Sequence, residues 1–177
     1  ITGASGIATV RARHGNEELQ DVNLTGQTAS MAEIDTRTVE AGRFFTEIED
    51  GKAMQVCLIG RALSDRFFPS QGPPRRVLKL ADQEFTVIGV YDRIGSVLGQ
   101  DSHNFAVVPL NTFLRLKGSR SSLTLNVRVP NDPAAFDRAM DQSRLLMRAR
   151  RHLRPDQEDN FFIGTKDNYI QLWNQIS

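Results

Sequence analysis

The chain has 177 residues, of which 40% are hydrophobic and 24% charged, and its formal net charge is +1. This composition is ordinary for a folded globular protein and suffices for one large domain or two small ones. The near-zero charge gives no global bias toward nucleic acid, so we expect no nucleic-acid partner. The apolar runs fall far short of the ~20 residues that span a bilayer. Because the sequence starts at Ile1 rather than at Met, we expect a piece of a longer protein.

The first third of the chain predicts two strands and a short capped helix. Residues 7–13 and 19–25 flank a His14-Gly15-Asn16 turn, and the second of them alternates apolar and polar side chains as a half-buried strand does. Residues 26–42 are weakly patterned, and we expect short strands or loop there. Thr46 can cap a short helical turn that has acidic residues near its N-terminus.

The middle of the chain predicts buried strands. Residues 54–60 and 105–109 are apolar on both faces, which is typical of fully buried strands. A short helix over residues 61–68 follows the first of them. Residues 77–80 and 84–91 predict a hairpin.

The last third predicts two helices and two strands. Asn111 is a candidate N-cap for a helix over residues 112–117. Residues 122–129 alternate cleanly and predict a strand whose apolar face carries Leu123, Leu125, Val127 and Val129. The longest helix is predicted from Asn131-Asp132-Pro133 to about Leu153, and a final strand over residues 161–164.

The order of these elements is strands, a β-rich middle, and then strand–helix–strand, which predicts an α+β fold. Residues 167–177 begin an amphipathic helix, whose shared face carries Tyr169, Leu172, Trp173 and Ile176. Trp and Tyr on such a face suit a membrane interface, and packing on the domain's own core is the alternative.

One glycine-containing segment is similar to the first turn of a dinucleotide-binding unit. Thr2-Gly3-Ala4-Ser5-Gly6 supplies two of the glycines that let a pyrophosphate approach a helix. However, Thr9 occupies the third glycine position, and residues 9–15 indicate strand and turn rather than helix. We therefore expect a chance match and no bound cofactor.

Residues that often carry chemistry do not form a recognisable set. Cys57 lies in an apolar segment and is expected to be a small buried hydrophobe. The carboxylates of residues 47–50 and 156–159 lack an evident catalytic partner, and the arginines of residues 144–154 suit a helix C-terminus. The histidines have no metal-ligand spacing; they are His14, His103 and His152. We predict no catalytic residue and no metal ligand.

Four stretches of the middle of the chain carry a family resemblance. They are Gly42-Arg43-Phe44-Phe45-Thr46-Glu47 with Glu49-Asp50, Val56-Cys57-Leu58-Ile59-Gly60 through Phe68, Phe85-Thr86-Val87-Ile88-Gly89-Val90, and Val108-Pro109-Leu110-Asn111-Thr112. In order and spacing they resemble the periplasmic core domain of MacB/FtsX-type ABC transporter permeases. One departure is Gly72-Pro73-Pro74-Arg75-Arg76, which replaces the family's D-P-V-G-K turn. That turn is either built differently here or tolerates Arg75.

The resemblance implies a division into subdomains. Residues 1–27 and 119–166 would form a porter-like α/β subdomain of strand–helix–strand type. Residues 28–118 would form an inserted β-rich subdomain, called the sabre in the family. Residues 167–177 would begin the helix that leads toward a transmembrane helix.

The resemblance also implies a function without catalysis by this chain. Such a domain lies on the periplasmic face of the bacterial inner membrane, as part of an integral membrane protein. It would transmit ATP-driven conformational change to a periplasmic partner or cargo during export or lipoprotein handling. ATP would be hydrolysed by a separate ABC ATPase subunit or domain. The full permease would be a homodimer, and a periplasmic adaptor or a lipoprotein cargo would be its partner.

A polar loop is the candidate partner-contact site. Residues 95–104 are predicted to be exposed, and such loops on rigid scaffolds often carry recognition. The candidate contact residues are Gly95, Gln100, Asp101 and His103. Two alternatives remain open, a direct substrate-binding module for a hydrophobic drug or peptide and a nucleotide-dependent enzyme that uses the segment from Thr2 to Gly6.

Overall fold

The computed structural model describes residues 1–70, 76–92, 104–165 and 168. Its strands are β1 (Thr2–His14), β2 (Glu17–Gln27), β3 (Val39–Gly42), β4 (Val56–Gly60), β5 (Arg76–Leu80), β6 (Gln83–Tyr91), β7 (Phe105–Pro109) and β8 (Thr124–Val127). Its helices are α1 (Met31–Ile34), α2 (Glu47–Gly51), α3 (Arg61–Phe67), α4 (Leu110–Lys117) and α5 (Pro133–Arg150). The predicted α+β class is confirmed.

Six of the strands pair in a closed ring. β1 pairs with β2, β2 with β7, β7 with β4, β4 with β6, β6 with β5, and β5 pairs again with β1. The pairs β2–β7 and β4–β6 are parallel, and the other four are antiparallel. β3 pairs with β6 and β8 pairs with β1, so both strands lie outside the ring. A closed ring leaves its six strands with few unpaired edges.

Two hydrophobic cores lie against the two faces of this sheet. The larger core takes buried side chains from each strand of the ring, among them Val10, Leu24, Ile59, Leu78, Val87 and Val108. The smaller core contains Phe45, Val56, Leu58, Tyr91, Phe105 and Val107. Because β4 and β7 contribute to both cores, every residue of these two strands is buried. Their continuous apolar runs are therefore confirmed as strands that are covered on both faces.

Two glycines allow helix α4 to approach the sheet closely. A Cβ atom built on Gly26 would lie 2.2 Å from Cβ of Phe113, and one built on Gly6 would lie 2.7 Å from Cε1 of the same ring. Phe113 is 1% exposed and belongs to the larger core. Gly6 therefore serves packing inside a strand. The segment that is similar to a dinucleotide-binding turn, Thr2-Gly3-Ala4-Ser5-Gly6, lies wholly within β1 and does not lead into a helix.

Two local predictions about the later elements are wrong. Helix α4 begins at Leu110, so Asn111 lies in its first turn and is not the N-cap. The strand predicted over residues 161–164 does not form, and those residues have no regular secondary structure. The cap of the longest helix is confirmed, since the Asp132 carboxylate accepts hydrogen bonds from the N–H groups of Ala134 and Ala135.

The strand predicted over residues 122–129 is shorter and more exposed than its pattern suggests. β8 spans Thr124–Val127, and the side chains of Leu125 and Val127 are 62% and 49% exposed. Its pairing with β1 fixes its position in the sheet. The alternation therefore predicted the strand correctly but not the burial of its apolar face.

The contacts within the chain define two compact units, Ile1–Arg128 and Val129–Ser177. The ring of the first unit combines β1 and β2 with four strands from residues 28–118. The second unit contains α5 and the segment that follows it. The assignment of residues to porter-like and sabre-like subdomains stays a prediction. No described helix has the length and hydropathy to cross a bilayer.

Candidate functional site

The predicted partner-contact residues Gly95, Gln100, Asp101 and His103 lie outside the described residues, as do residues 72–75 of the unusual turn. The two strand ends that flank the predicted loop are described. β6 ends at Tyr91 and β7 begins at Phe105. The structure around these two residues is therefore the described base of the candidate site.

Two aromatic rings and one guanidinium form this base. The ring centroids of Tyr91 and Phe105 are 5.5 Å apart, and the rings are tilted by 43°. The guanidinium carbon of Arg37 lies 4.8 Å from the centroid of each ring. A cation over an aromatic face contributes about 0.5–2 kcal/mol, and more as the contact is withdrawn from water. Arg37 therefore joins the ends of two strands that flank the loop.

Asp35 holds Arg37 in place. Its carboxylate accepts hydrogen bonds from the Arg37 backbone N–H at 3.0 Å and from Nε at 2.8 Å. Burial alone would raise the pKa of Asp35, but the hydrogen bonds from Arg37 outweigh burial and hold this pKa below its usual range. We call Asp35, Arg37, Tyr91 and Phe105 the loop-base cluster.

Two polar atoms at this cluster are buried without a hydrogen-bond partner within the described structure. They are the hydroxyl oxygen of Tyr91 and Oε1 of Gln27, whose side-chain amide helps to lower the pKa of Asp35. Burial raises the pKa of the Tyr91 hydroxyl, so this group stays protonated at neutral pH. Unpaired buried polar atoms are uncommon and cost free energy.

The family-like motif at Arg43 organises helix α2. The guanidinium of Arg43 donates to both carboxylate oxygens of Glu49, at 2.8 Å each. Glu49 also accepts from the backbone N–H of Thr46, and Thr46 Oγ1 accepts from the backbone N–H of Glu49, which completes a capping box. The hydrogen bond from Arg43 is the main reason that the pKa of Glu49 is lowered to about 2.

The same motif also joins α2 to α4. Asp50 Oδ1 accepts hydrogen bonds from the backbone N–H of Asn111 at 2.9 Å and from its side-chain Nδ2 at 3.2 Å. The hydroxyl of Thr112 donates to the carbonyl of Met54 at 2.7 Å. The residues by which the sequence resembles a family therefore make contacts that hold this fold together.

The remaining residue types that carry chemistry have structural surroundings. Cys57 is fully buried, and burial raises the pKa of its thiol, which keeps it protonated and unreactive. Asp159 pairs with Arg144 at 3.0 Å and with Arg148. Within the part of the chain that the structure describes, no three His, Cys, Asp or Glu side chains are placed to hold a metal ion.

One small cavity lies at the end of α3. It has a volume of about 160 Å³ and is lined by Phe67, Phe68, Pro69, Ser70 and Arg76. Nearby, the His14 ring packs against Phe68 with centroids 4.6 Å apart, and its Nδ1 lies 3.0 Å from the carbonyl oxygen of Val77. Ligand pockets commonly reach about 300–1,000 Å³, so this cavity is smaller than a typical drug site.

The model of a known family, the MacB-like periplasmic core domain, matches residues 1–143. The chain belongs to this family.

Curated relatives agree with this assignment. The chain is 26% identical over its full length to the macrolide export ATP-binding/permease protein MacB of Bdellovibrio bacteriovorus, of which the match covers 28%. It is 29% identical over 78% of its length to the pyoverdine export ATP-binding/permease protein PvdT of Pseudomonas aeruginosa, of which the match covers 21%. The matches therefore span only about a sixth to a quarter of the curated relatives' length.

Solved structures share the fold of this MacB-like domain. The periplasmic region of MacB from Actinobacillus actinomycetemcomitans superposes with a TM-score of 0.74 and 18% identity, over 98% of this chain and 75% of that one. The extracellular domain of the ABC-type transporter YknZ from Gram-positive bacteria gives a TM-score of 0.71 and 17% identity, over 86% of this chain and 76% of that one. The predicted membership in the family is confirmed.

The loop-base cluster was not found by sequence reasoning. Asp35 and Arg37 lie in residues 26–42, which show neither helical nor strand periodicity. Their partners Tyr91 and Phe105 are more than 50 residues further along the chain. An Asp two residues before an Arg is a common pair, so spacing alone carried no signal for this site.

Proposed function

We propose that this MacB-like domain is the extracytoplasmic part of an ABC transporter permease, and that it transmits ATP-driven movement to a partner or cargo outside the membrane. The match of the family model to residues 1–143 carries this proposal. The names of the curated relatives, which describe export ATP-binding/permease proteins, support it.

The domain performs this role without catalysis of its own. Support comes from the groups that could otherwise carry chemistry. Glu49, Asp50 and Asp159 are engaged in hydrogen bonds and ion pairs that hold helices and loops in place. The thiol of Cys57 is inaccessible. These side chains therefore serve the rigidity that a transmitting domain needs.

ATP binding and hydrolysis then belong to a separate domain or subunit. The relatives' names combine ATP binding with a permease, and the chain matches only 16–28% of three of those proteins. We further propose that the full permease acts as a homodimer at the bacterial inner membrane. Its outer partner would be a periplasmic adaptor or a lipoprotein cargo.

Partner contact is assigned to the loop residues Gly95, Gln100, Asp101 and His103. The loop-base cluster supports this assignment, because it fixes the ends of the two strands between which these residues lie. A rigid base reduces the conformational entropy that a loop loses on binding. Gly95→Ala, Gln100→Ala and His103→Ala should weaken binding of the partner, and unchanged binding would remove the loop from the proposal.

Direct capture of a drug-sized substrate by the cavity that the described residues line is a weaker hypothesis. The cavity at Phe68 is about 160 Å³, which is small for a macrolide or a peptide. Titration of the chain with a hydrophobic drug, followed by isothermal titration calorimetry, should show no saturable binding. Saturable binding at micromolar concentration would favour a direct binding module.

The decisive experiment is a topology assay on the full-length gene product. Alkaline phosphatase and green fluorescent protein reporters are fused at positions on either side of this domain and within it. An extracytoplasmic domain flanked by transmembrane helices is the expected result. A cytoplasmic position for the domain would overturn the proposed function.

A further inference from the structure

The start of β1 and the end of β8 lie side by side. The backbone N–H of Arg128 donates to the carbonyl of Ile1 at 2.8 Å, and the Ile1 nitrogen donates to the carbonyl of Arg128 at 3.1 Å. The antiparallel ladder then continues through four pairs from Thr2–Val127 to Ser5–Thr124. The first and the last residue of the unit Ile1–Arg128 therefore meet at one place. We call this ladder the β1–β8 clamp.

Two side chains add to the clamp. Asn126 Nδ2 donates to the hydroxyl oxygen of Ser5 at 3.1 Å. The guanidinium of Arg128 donates to the backbone carbonyl of Glu33 in α1. These contacts and the ladder must break when β8 leaves β1.

β8 is held much less firmly than the strands of the ring. It has four residues, and among the described strands it pairs with β1 alone. Its apolar side chains Leu125 and Val127 are already 62% and 49% exposed, so their detachment uncovers only the remaining part of their surface. By contrast, β1 also has nine register pairs with β2 and side chains in the larger core. Segments with few buried contacts open locally at a lower free energy than the core does.

The direction of the two strands determines how a load would act on them. A pull that separates Ile1 from Arg128 first loads the bonds between these two residues and then the next pair, one after another. Bonds that are loaded one at a time resist less than bonds that share a load. The ring is not opened by this movement, because its closure depends on pairs that exclude β8.

We propose that β8 is a releasable strand, which detaches from β1 while the six-stranded ring stays closed. Release would free residues 119–128, whose fully extended backbone spans at most about 35 Å. The role of this release in transmission rests on the proposed function, since it requires a domain that is pulled at both of its connections. The separate opening of β8 does not depend on that function.

Hydrogen exchange on the 177-residue chain tests the separate opening. The amides of Asn126 and Arg128 should exchange at least about tenfold faster than those of Leu58 and Ile59 in β4, because they open without the ring. Equal exchange rates in β8 and β4 would overturn the proposal, since β8 would then open only when the whole unit unfolds.

A disulfide across the clamp provides the second test. Because Ile1 and Arg128 exchange both backbone bonds, the next pair, Thr2 and Val127, is a non-hydrogen-bonded pair with close side chains. The oxidised Thr2→Cys/Val127→Cys variant should slow exchange at Asn126 at least about tenfold, leave Ile59 unchanged, and lose the effect on reduction. Unchanged exchange at Asn126 would contradict the proposal.

The pair Thr9 and Asn23 supplies the matched control. It lies in the β1–β2 ladder, both residues are exposed, and the Asn23 N–H points to Asn104 rather than to β1. A Thr9→Cys/Asn23→Cys disulfide should leave hydrogen exchange at the amides of β8 unchanged. If both disulfides slowed this exchange equally, the proposal that β8 opens separately from the ring would be overturned. A cytoplasmic position in the topology assay would reject the proposed function without altering these exchange rates. Failure of the proposed function and failure of the releasable strand are therefore distinguishable.

Discussion

The carboxylate of Asp50 caps a helix that begins 60 residues further along the chain. Asp50 ends the acidic turn of α2, and its Oδ1 accepts a hydrogen bond from the backbone N–H of Asn111 in the first turn of α4. The first N–H groups of a helix lack partners within the helix, so this carboxylate replaces a local N-cap. Pro109, which occupies the N-cap position, offers no side-chain acceptor.

The first prediction concerns this cap. Asp50→Ala should lower the free energy of unfolding by about 1 kcal/mol, as loss of an N-cap does. Glu47→Ala, an exposed residue of the same turn, is the control and should change stability by less than about 0.5 kcal/mol. Urea unfolding followed by circular dichroism measures both. Equal effects of the two variants would show that the contact with Asn111 contributes nothing.

The second prediction concerns acid. The pKa of Glu49 is lowered from 4.5 to about 2 by its hydrogen bond with Arg43, so its ionised form stabilises the folded state. This contribution is complete above about pH 4.5 and is lost as the pH falls toward 2. The difference in unfolding free energy between the natural chain and Glu49→Gln should therefore shrink as the pH falls from about 5 to about 2. This range contains both the unfolded-state pKa of Glu49 and its lowered pKa in the folded chain. Urea unfolding across this range measures it, and a difference independent of pH would contradict the ion pair.

The third prediction concerns the loop-base cluster. Among the described residues the buried Tyr91 hydroxyl has no hydrogen-bond partner, so Tyr91→Phe should change the unfolding free energy by less than about 1 kcal/mol or increase it. Tyr91→Ala removes the ring that contacts Arg37 and Phe105, and it should cost about 3–5 kcal/mol. A large loss of stability in Tyr91→Phe would show that the hydroxyl has a hydrogen-bond partner.

The fourth prediction concerns the close contact between α4 and β2. In Gly26→Ala the new methyl group would meet Cβ of Phe113 at 2.2 Å, and the overpacking should cost about 1–3 kcal/mol or more. Gly51→Ala is the control, because no atom of the described residues lies within 4 Å of its added methyl group. It should be neutral or stabilise the chain by up to about 1 kcal/mol in thermal unfolding. A tolerated Gly26→Ala would mean that α4 can move away from the sheet at little cost.

The fifth prediction concerns the segment after α5. The guanidinium of Arg148 pairs with Asp159 and donates to the backbone carbonyls of Arg154 and Gln157. Arg148→Ala should therefore increase hydrogen exchange in residues 151–160 at least about fivefold, because a local segment loses its anchor. Arg150→Ala, on the same turn of α5, should leave that exchange unchanged. Identical behaviour of the two variants would assign no anchoring role to Arg148.

Much of the secondary structure could be predicted because it depends on residues close together in the chain. Val56 to Gly60 is an uninterrupted apolar strand, and Asp132 before Pro133 marks the start of a helix. The prediction of a strand over residues 161–164 failed for lack of such constraints. Instead, the backbone nearby is held by side chains at the end of α5, for example by its C-cap residue Arg151, which donates to Asn160.

The candidate site was predicted only in part. Its loop residues stay a prediction, and the loop-base cluster was missed because Arg37 reaches two rings that are distant in sequence. The family itself was recognised from residues 40–118, whose motif residues Glu49 and Asp50 make contacts that fix the fold.

The sequence by itself determined the α+β class, most of the strands, two helix caps and the family, because periodicity, capping and motif spacing act over a few residues. The tertiary structure alone decided which strands are neighbours, and with them the closed ring and the exposed position of β8. It also decided that Asp50 caps α4 and that Ile1 lies against Arg128. These contacts join residues 61 to 127 positions apart, and only the packing of the whole unit brings such residues together.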